Sequence, residues 1–315
     1  MHLLIPFAFS TSEGCKNALP TLRLPHLQQL LDQLNPLPAD HGEASSLSPP
    51  HERALAHQLG LSVVDGQIPW AAHRASQYPE LAGMGGAWGF ITLCHWQVNT
   101  NHVAMSTLPL PHLTIEESNQ LLSAMRPYFA EDSINLFADQ PGRWLAHSEV
   151  FAGLATASPD RAMGRNLDTW MPRTAQAAPL RRLQNEMQML LYTHSVNDAR
   201  EARGVLPINS FWLNGTGVLS LAPVRRDDVD SFSTIPTLRE AALTENWNAW
   251  VGAWHALDAG PVADLLAAHQ HGEPVMLTLC GETNAQTWVP MRRSLLQRIK
   301  HRFASRPSIS LIETL

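Results

Sequence analysis

Charge is scarce in this sequence. Asp, Glu, Lys and Arg make up 16% of its 315 residues, where roughly 25% is usual for a soluble domain. The net charge is −6, and neither sign forms a run, so the basic stripe of a nucleic-acid binder is missing. So uncharged a surface favours a homo-oligomer or a face covered by a partner. The three cysteines, Cys15, Cys94 and Cys280, are too dispersed for a disulfide framework, which points to a reducing, cytoplasmic setting. No apolar run approaches the roughly 20 residues of a membrane span. The apolar start MHLLIPFAF lacks a basic n-region and soon meets Pro6, so it reads as a buried first strand and not as a signal peptide. A G-x-G-x-x-G fingerprint, a Walker loop, a nucleophile elbow and a His-Glu-x-x-His pair are all missing, which removes support for hydride transfer and P-loop chemistry.

What is present is periodic and aromatic. Ten tryptophans predict large packed cores with hydrogen-bonded indoles. Leu27, Leu30, Leu31 and Leu34 repeat at helical spacing behind Pro25, and a second helix starts at Ser48-Pro49-Pro50 and stops at Gly60. The stretch from Pro36 to Pro50 is rich in Pro, Ser and Ala and reads as a linker or surface loop. Ala87–Val103 is dominated by β-formers and predicts a strand and a hairpin. Thr114 with Glu117 is a capping box ahead of Leu121, Leu122 and Met125. Short strands are expected at Ile134–Phe137, Arg143–Ala146, Ile208–Leu213 and Val275–Leu279. Trp247, Trp250 and Trp254 form the stripe of a core helix. A last helix is expected after Pro290, burying Leu295, Leu296, Ile299 and Phe303. Strands alternating with helices predict an α/β or α+β architecture.

The segment Arg181–Gly217 holds the densest set of polar candidates. It reads as an amphipathic helix, a polar loop and an apolar strand ending at Gly215 and Gly217. His194, Asn197, Arg200, Arg203, Asn209, Ser210 and Asn214 crowd its chain reversals. Guanidinium groups take phosphate or carboxylate bidentately, and convergent polar groups mark pockets, so a small anionic metabolite is expected there. The competing reading is that Asn197-Asp198 caps a helix while both arginines are solvated. Cys94, His95 and His102 offer metal-ligand chemistry, but adjacent strand residues face opposite ways, so a shared ion is not favoured. His51-Glu52-Arg53 is explained by a helix start, where an acidic group suits the dipole.

Two resemblances follow from longer motifs. LSPPHERALA, CHWQVNTNHV, GRWLA, LATASPDRAMGRN, QNEMQMLLYTHSVNDAREARG and INSFWLNGTG, within residues 47 to 217, resemble the RpfE-type bacterial regulatory proteins. Over residues 144 to 217, the order of Leu154, Thr156, Gly164, His194, Asn197, Gly204, Asn209, Gly215 and Gly217 resembles the archaeal-type cofactor-independent phosphoglycerate mutases of the alkaline-phosphatase superfamily. That resemblance implies an α/β sheet with flanking helices and an inserted α+β subdomain. The expected division is 1–110 with 218–315 for the discontinuous core and 111–217 for the insertion. It also implies two divalent metals, held by an Asp after the first strand and an Asp-His pair after a late one. Here no Asp precedes Asp32, and Glu282, Thr283 and Asn284 follow the late strand.

The expectation is therefore a non-catalytic or degenerate mutase-like protein with a regulatory or metabolite-sensing role and no cofactor. One alternative is a phosphomutase or phosphatase using Mn or Zn, with ligands drawn from His51, His95, His102, His271 and Glu282. The other is a structural protein-interaction module.

Overall fold

A computed structural model of the chain describes residues 1–106, 108–220, 232–290 and 315. The strands are β1 (His2–Ile5), β2 (Leu34–Pro36), β3 (Ala87–Cys94), β4 (Trp96–Val98), β5 (Val103–Met105) and β6 (Asn135–Gln140). They continue as β7 (Arg143–His147), β8 (Ser210–Val218), β9 (Phe232–Thr234), β10 (Met276–Cys280) and β11 (Ala285–Pro290). The α-helices are α1 (Glu13–Ala18), α2 (Pro25–Leu31), α3 (Pro50–Gln58), α4 (Trp70–Ala75), α5 (Ile115–Glu131) and α6 (Pro159–Ala162). After them come α7 (Ala178–Tyr192), α8 (Ser195–Ala202), α9 (Arg239–Leu243), α10 (Trp247–Leu257) and α11 (Ala263–Gln270). The class is mixed α/β. None of the helices among the described residues is long and apolar enough to cross a membrane. The helix expected after Pro290 lies outside the described residues.

Two compact units divide the chain. The first comprises Met1–Ser45, Pro49–Gln58 and Arg225–Leu315; the second comprises Ser46–Ser48 and Leu59–Val224. Residues 59–110, grouped from sequence with the core, thus belong to the second unit. The reason is topological: β3 is an interior strand of that unit's sheet, paired with both β7 and β8.

The first unit has a sheet of order β2-β11-β10-β1-β9, with β1 parallel to both β9 and β10 and antiparallel pairing beyond β10. All four residues of β1 are buried, as expected of a parallel strand covered on both faces. Leu3 and Ile5 share a core with Leu27, Leu30, Leu265, Trp250 and Trp254. Each fully buried leucine contributes about 1.5–3 kcal/mol. The tryptophans of α10 stack edge to face, Trp250 on Trp254 at 6.1 Å. Trp250 Nε1 donates to the Phe7 carbonyl at 2.9 Å, holding a residue whose φ of +57° is unusual for an L side chain. Trp247 lies so close over α1 that a Cβ built on Gly14 would stand 2.2 Å from its indole nitrogen. Between α10 and α11 the helix widens into a π-helical turn at Asp258–Val262 containing Pro261, which has no N–H to donate. The Asp258 carboxylate caps α2, accepting from Leu27 N at 2.7 Å and His26 N at 3.3 Å.

The second unit has an antiparallel sheet of order β6-β7-β3-β8 and a separate β4–β5 ribbon. On one face, α5 packs Phe129 against Phe211, and Ser118 Oγ accepts from Trp144 Nε1 at 3.0 Å. On the other, Ala71, Ala72 and Ala75 of α4 meet Trp88, Phe90 and Leu145. Both halves of the capping box form at Thr114 and Glu117. The polar loop expected after α7 contains a further helix, α8. Its N-cap is His194, which accepts from Val196 N at 3.2 Å, so Asn197 lies inside the helix and does not cap it.

Candidate functional site

The polar residues of the 181–217 segment tie the chain to itself. Asn197 is buried, donates to the carbonyls of Leu191 (2.7 Å) and Ile208 (2.6 Å), and accepts from Ile208 N (2.8 Å). It thereby staples the end of α7 to the approach to β8. Arg200 is 0% exposed and donates to the carbonyls of Leu206, Pro111 and His112. Burial lowers its pKa, while Glu117, 3.6 Å away, is the counter-charge. Arg203 bonds the same Glu117 carboxylate. Asn209 pairs with both main-chain groups of Trp96, accepting at 2.6 Å and donating at 2.8 Å. Neither arginine is a solvated surface charge without a partner, and the amides are engaged by backbone. Asn214 is buried in β8, opposite Phe90. Ser210 differs from the rest: it is fully buried, yet its Oγ has no hydrogen-bond partner among the described residues.

The metal-ligand candidates do not form one set. His95 Nδ1 pairs with the Pro207 carbonyl at 2.9 Å, and His102 is half-buried at the β4–β5 turn beside Asn99. Glu282, His51 and His271 belong to the first unit, where the His51 ring lies against Phe7 and His271 ends α11. Among the described residues, no group of three His, Cys, Asp or Glu side chains could hold a metal ion. Cys94 is buried, with its pKa pushed up by that burial.

In the first unit, the carboxyl ends of the parallel strands β1 and β10 are where a ligand of an open α/β sheet would gather. Glu282, just past β10, accepts from Thr11 Oγ1 (2.7 Å), Thr11 N (3.1 Å) and Ser10 Oγ (3.4 Å). Ser12 in turn caps α1 through Cys15 N. Nearby, Arg53 donates to Asp40 (2.8 Å) and to the Thr283 carbonyl (3.0 Å), and Asn284 accepts from Gly42 N (3.3 Å). The Glu282 carboxylate is thus bound to the Ser10 and Thr11 hydroxyls, and the Arg53 guanidinium to Asp40 and the main chain.

Sequence reasoning missed a charged group in the second unit. Asp139 has no exposed side-chain surface and is held by two arginines, Arg74 from α4 (2.7 Å) and Arg143 from β7 (2.6 Å). Tyr78 donates to it as well, at 2.8 Å. Burial alone would raise the Asp139 pKa, but the bonds from Arg74, Tyr78 and Arg143 outweigh it and hold the carboxyl below its usual value. Asp139 is the extra residue of a β-bulge, since Ala138 opposes Trp144 and Gln140 opposes Arg143. A bulge re-aims the side chain it carries. The Arg143 guanidinium lies over the Phe90 ring at 4.3 Å. A faint signal was available, because Asp139 and Arg143 flank Pro141-Gly142, a turn pair. Arg74 is too distant in sequence to be joined to them by pattern.

No protein-family model matches the chain, and no curated protein matches it. Two solved structures are similar to the chain at low identity. One is a cofactor-independent phosphoglycerate mutase from Thermoplasma acidophilum, 12% identical over 94% of this chain and 90% of that one, with a TM-score of 0.34. The other is a protein from Pyrococcus horikoshii, 10% identical over 92% of this chain and 87% of that one, with a TM-score of 0.39.

Proposed function

We propose that this chain is a non-catalytic α/β protein that works by binding a small anionic metabolite, in a cytoplasmic regulatory or sensing role. One observation carries the reading: Glu282, the acidic group beside the parallel strand ends, accepts three bonds from Ser10 and Thr11. Metal-assisted phosphoryl transfer needs several carboxylate and imidazole donors free to converge on ions that clamp the attacking and leaving oxygens. A carboxylate that closes its own loop is a poor member of such a set. The regulatory part of the reading starts from the RpfE-type motifs between residues 47 and 217.

The test is metal content and turnover of the purified chain with Mn²⁺ or Zn²⁺, using phosphoglycerates and p-nitrophenyl phosphate. The expected result is no stoichiometric metal and no turnover above buffer. Two bound ions with turnover abolished in Glu282→Gln would replace this reading with a metal-dependent phosphomutase or phosphatase.

A further inference from the structure

The Arg74–Asp139–Arg143 group is built in a way that a simple structural ion pair does not require. One carboxylate without exposed side-chain surface anchors two guanidiniums whose own side chains are 37% and 30% exposed. The group therefore carries one net positive charge and presents it outward. Arg143 directs Nε and Nη2 to Asp139, which leaves Nη1 for another acceptor. Arg74 directs Nε to Asp139, Nη1 to Gln77 and Nη2 to Tyr78, and each of its terminal nitrogens retains a second N–H. Stacking on Tyr78 (4.9 Å) and Phe90 (4.3 Å) fixes both planes.

A second observation comes from the sheet. Thr92 of β3 is directly opposite Arg143 of β7, so the two side chains share a face. The Thr92 Oγ1 is buried and has no hydrogen-bond partner among the described residues. Ser210, opposite Cys94 two residues further along β3, is on that same face and has an unpartnered hydroxyl too. A preorganised guanidinium pair beside an unsatisfied hydroxyl is a donor-rich site, and its complement is a dianion with several acceptor oxygens. Planar carboxylate offers two oxygens in one plane. A tetrahedral phosphate offers three around its free end.

We infer that Arg74, Arg143 and Thr92 form a binding site for the phosphate of a phosphomonoester, with Asp139 as the positioning residue that locks both guanidiniums. The assignment rests on the binding reading proposed above and gives it a location away from the 181–217 segment. In this site Arg143 supplies Nη1 and Arg74 its outward N–H groups. Thr92 is partly exposed, and rotation about χ1 exchanges its methyl and hydroxyl, bringing the hydroxyl to the ligand.

Calorimetric titration of the full chain with inorganic phosphate and with phenyl phosphate tests this, against chloride and succinate at matched ionic strength. Saturable binding of both phosphates is expected, weakened about tenfold in Arg143→Lys and about fivefold in Thr92→Val, on the scale of one lost charge-assisted or neutral hydrogen bond. Thr92→Val keeps the ion pairs intact, so its effect cannot be blamed on unfolding. Absence of saturable binding, equal binding of succinate, or unchanged affinity in both variants would overturn the site and leave the non-catalytic reading standing. Hydrolysis of phenyl phosphate would overturn that reading and leave the site.

Discussion

Lowering the pH should unfasten the first unit at His2. This histidine is 4% exposed in β1, with Nε2 2.8 Å from Thr278 Oγ1 and its ring edge-on to Phe232. Burial pulls its pKa from 6.5 down to about 4, the Gln58 side chain opposing part of the fall. In the unfolded chain the imidazole gains its proton as pH drops below 6.5, whereas in the folded chain it stays neutral until about 4. Between those values the unfolded state binds more protons, so stability falls as pH falls. The gap corresponds to about 3 kcal/mol at most, a large share of the roughly 5–15 kcal/mol of a typical domain. Urea unfolding at pH 7, 6, 5 and 4 would measure it, beside His2→Gln, whose amide also reaches for Thr278 but does not titrate. His73, whose pKa burial lowers as well, contributes in the same direction to both proteins and cancels in the difference. The wild type should lose about 3 kcal/mol more than the variant across this range. Parallel curves would refute the assignment.

Three further outcomes are expected. Arg200→Met removes the donors that hold Leu206, Pro111 and His112 and leaves Glu117 to Arg203 and the Thr114 N–H; a loss of about 3–5 kcal/mol in chemical denaturation is the scale for breaking such a buried pair. Gly14→Ala drives a methyl into the Trp247 indole, costing about 1–3 kcal/mol by overpacking. The double variant with Trp247→Ala should recover part of that loss, and strict additivity in thermal unfolding would count against the contact. Asp139 has a depressed pKa in the folded state, so its stabilisation is complete above the ordinary carboxyl range and disappears as pH falls through the folded value. Asp139→Asn should therefore flatten the acid limb of the stability profile below pH 3.8 without changing the limb that His2 sets.

Much of the fold could be read where local chemistry and tertiary packing agree. The capping box at Thr114, the buried run of β1 and the tryptophan stripe of α10 each carry their own instruction, and each forms where the pattern puts it. The helix α8 is legible only in the reading that puts its cap at Asn197-Asp198; its start lies elsewhere because its true cap is a histidine, an uncommon N-cap acceptor. The polar candidates of the 181–217 segment are ambiguous in sequence for a related reason. Arg200, Asn197 and Asn209 have the chemistry of ligand-binding residues, yet that chemistry serves equally to satisfy backbone carbonyls in buried loops, and sequence cannot say which acceptor arrives. The arginine pair around Asp139 was invisible because α4, β6 and β7 come together only through the sheet.

The first unit is assembled from separated stretches of chain, and this orders events in time. The parallel partners of β1, at Phe232–Thr234 and Met276–Cys280, are synthesised long after it, while the second unit's sheet is complete once β8 has emerged. A nascent chain thus carries an apolar strand with unmatched edges until Phe232–Cys280 has been made, a state prone to aggregate. Its safe passage depends on how soon the ribosome delivers the segment from Phe232 to Cys280.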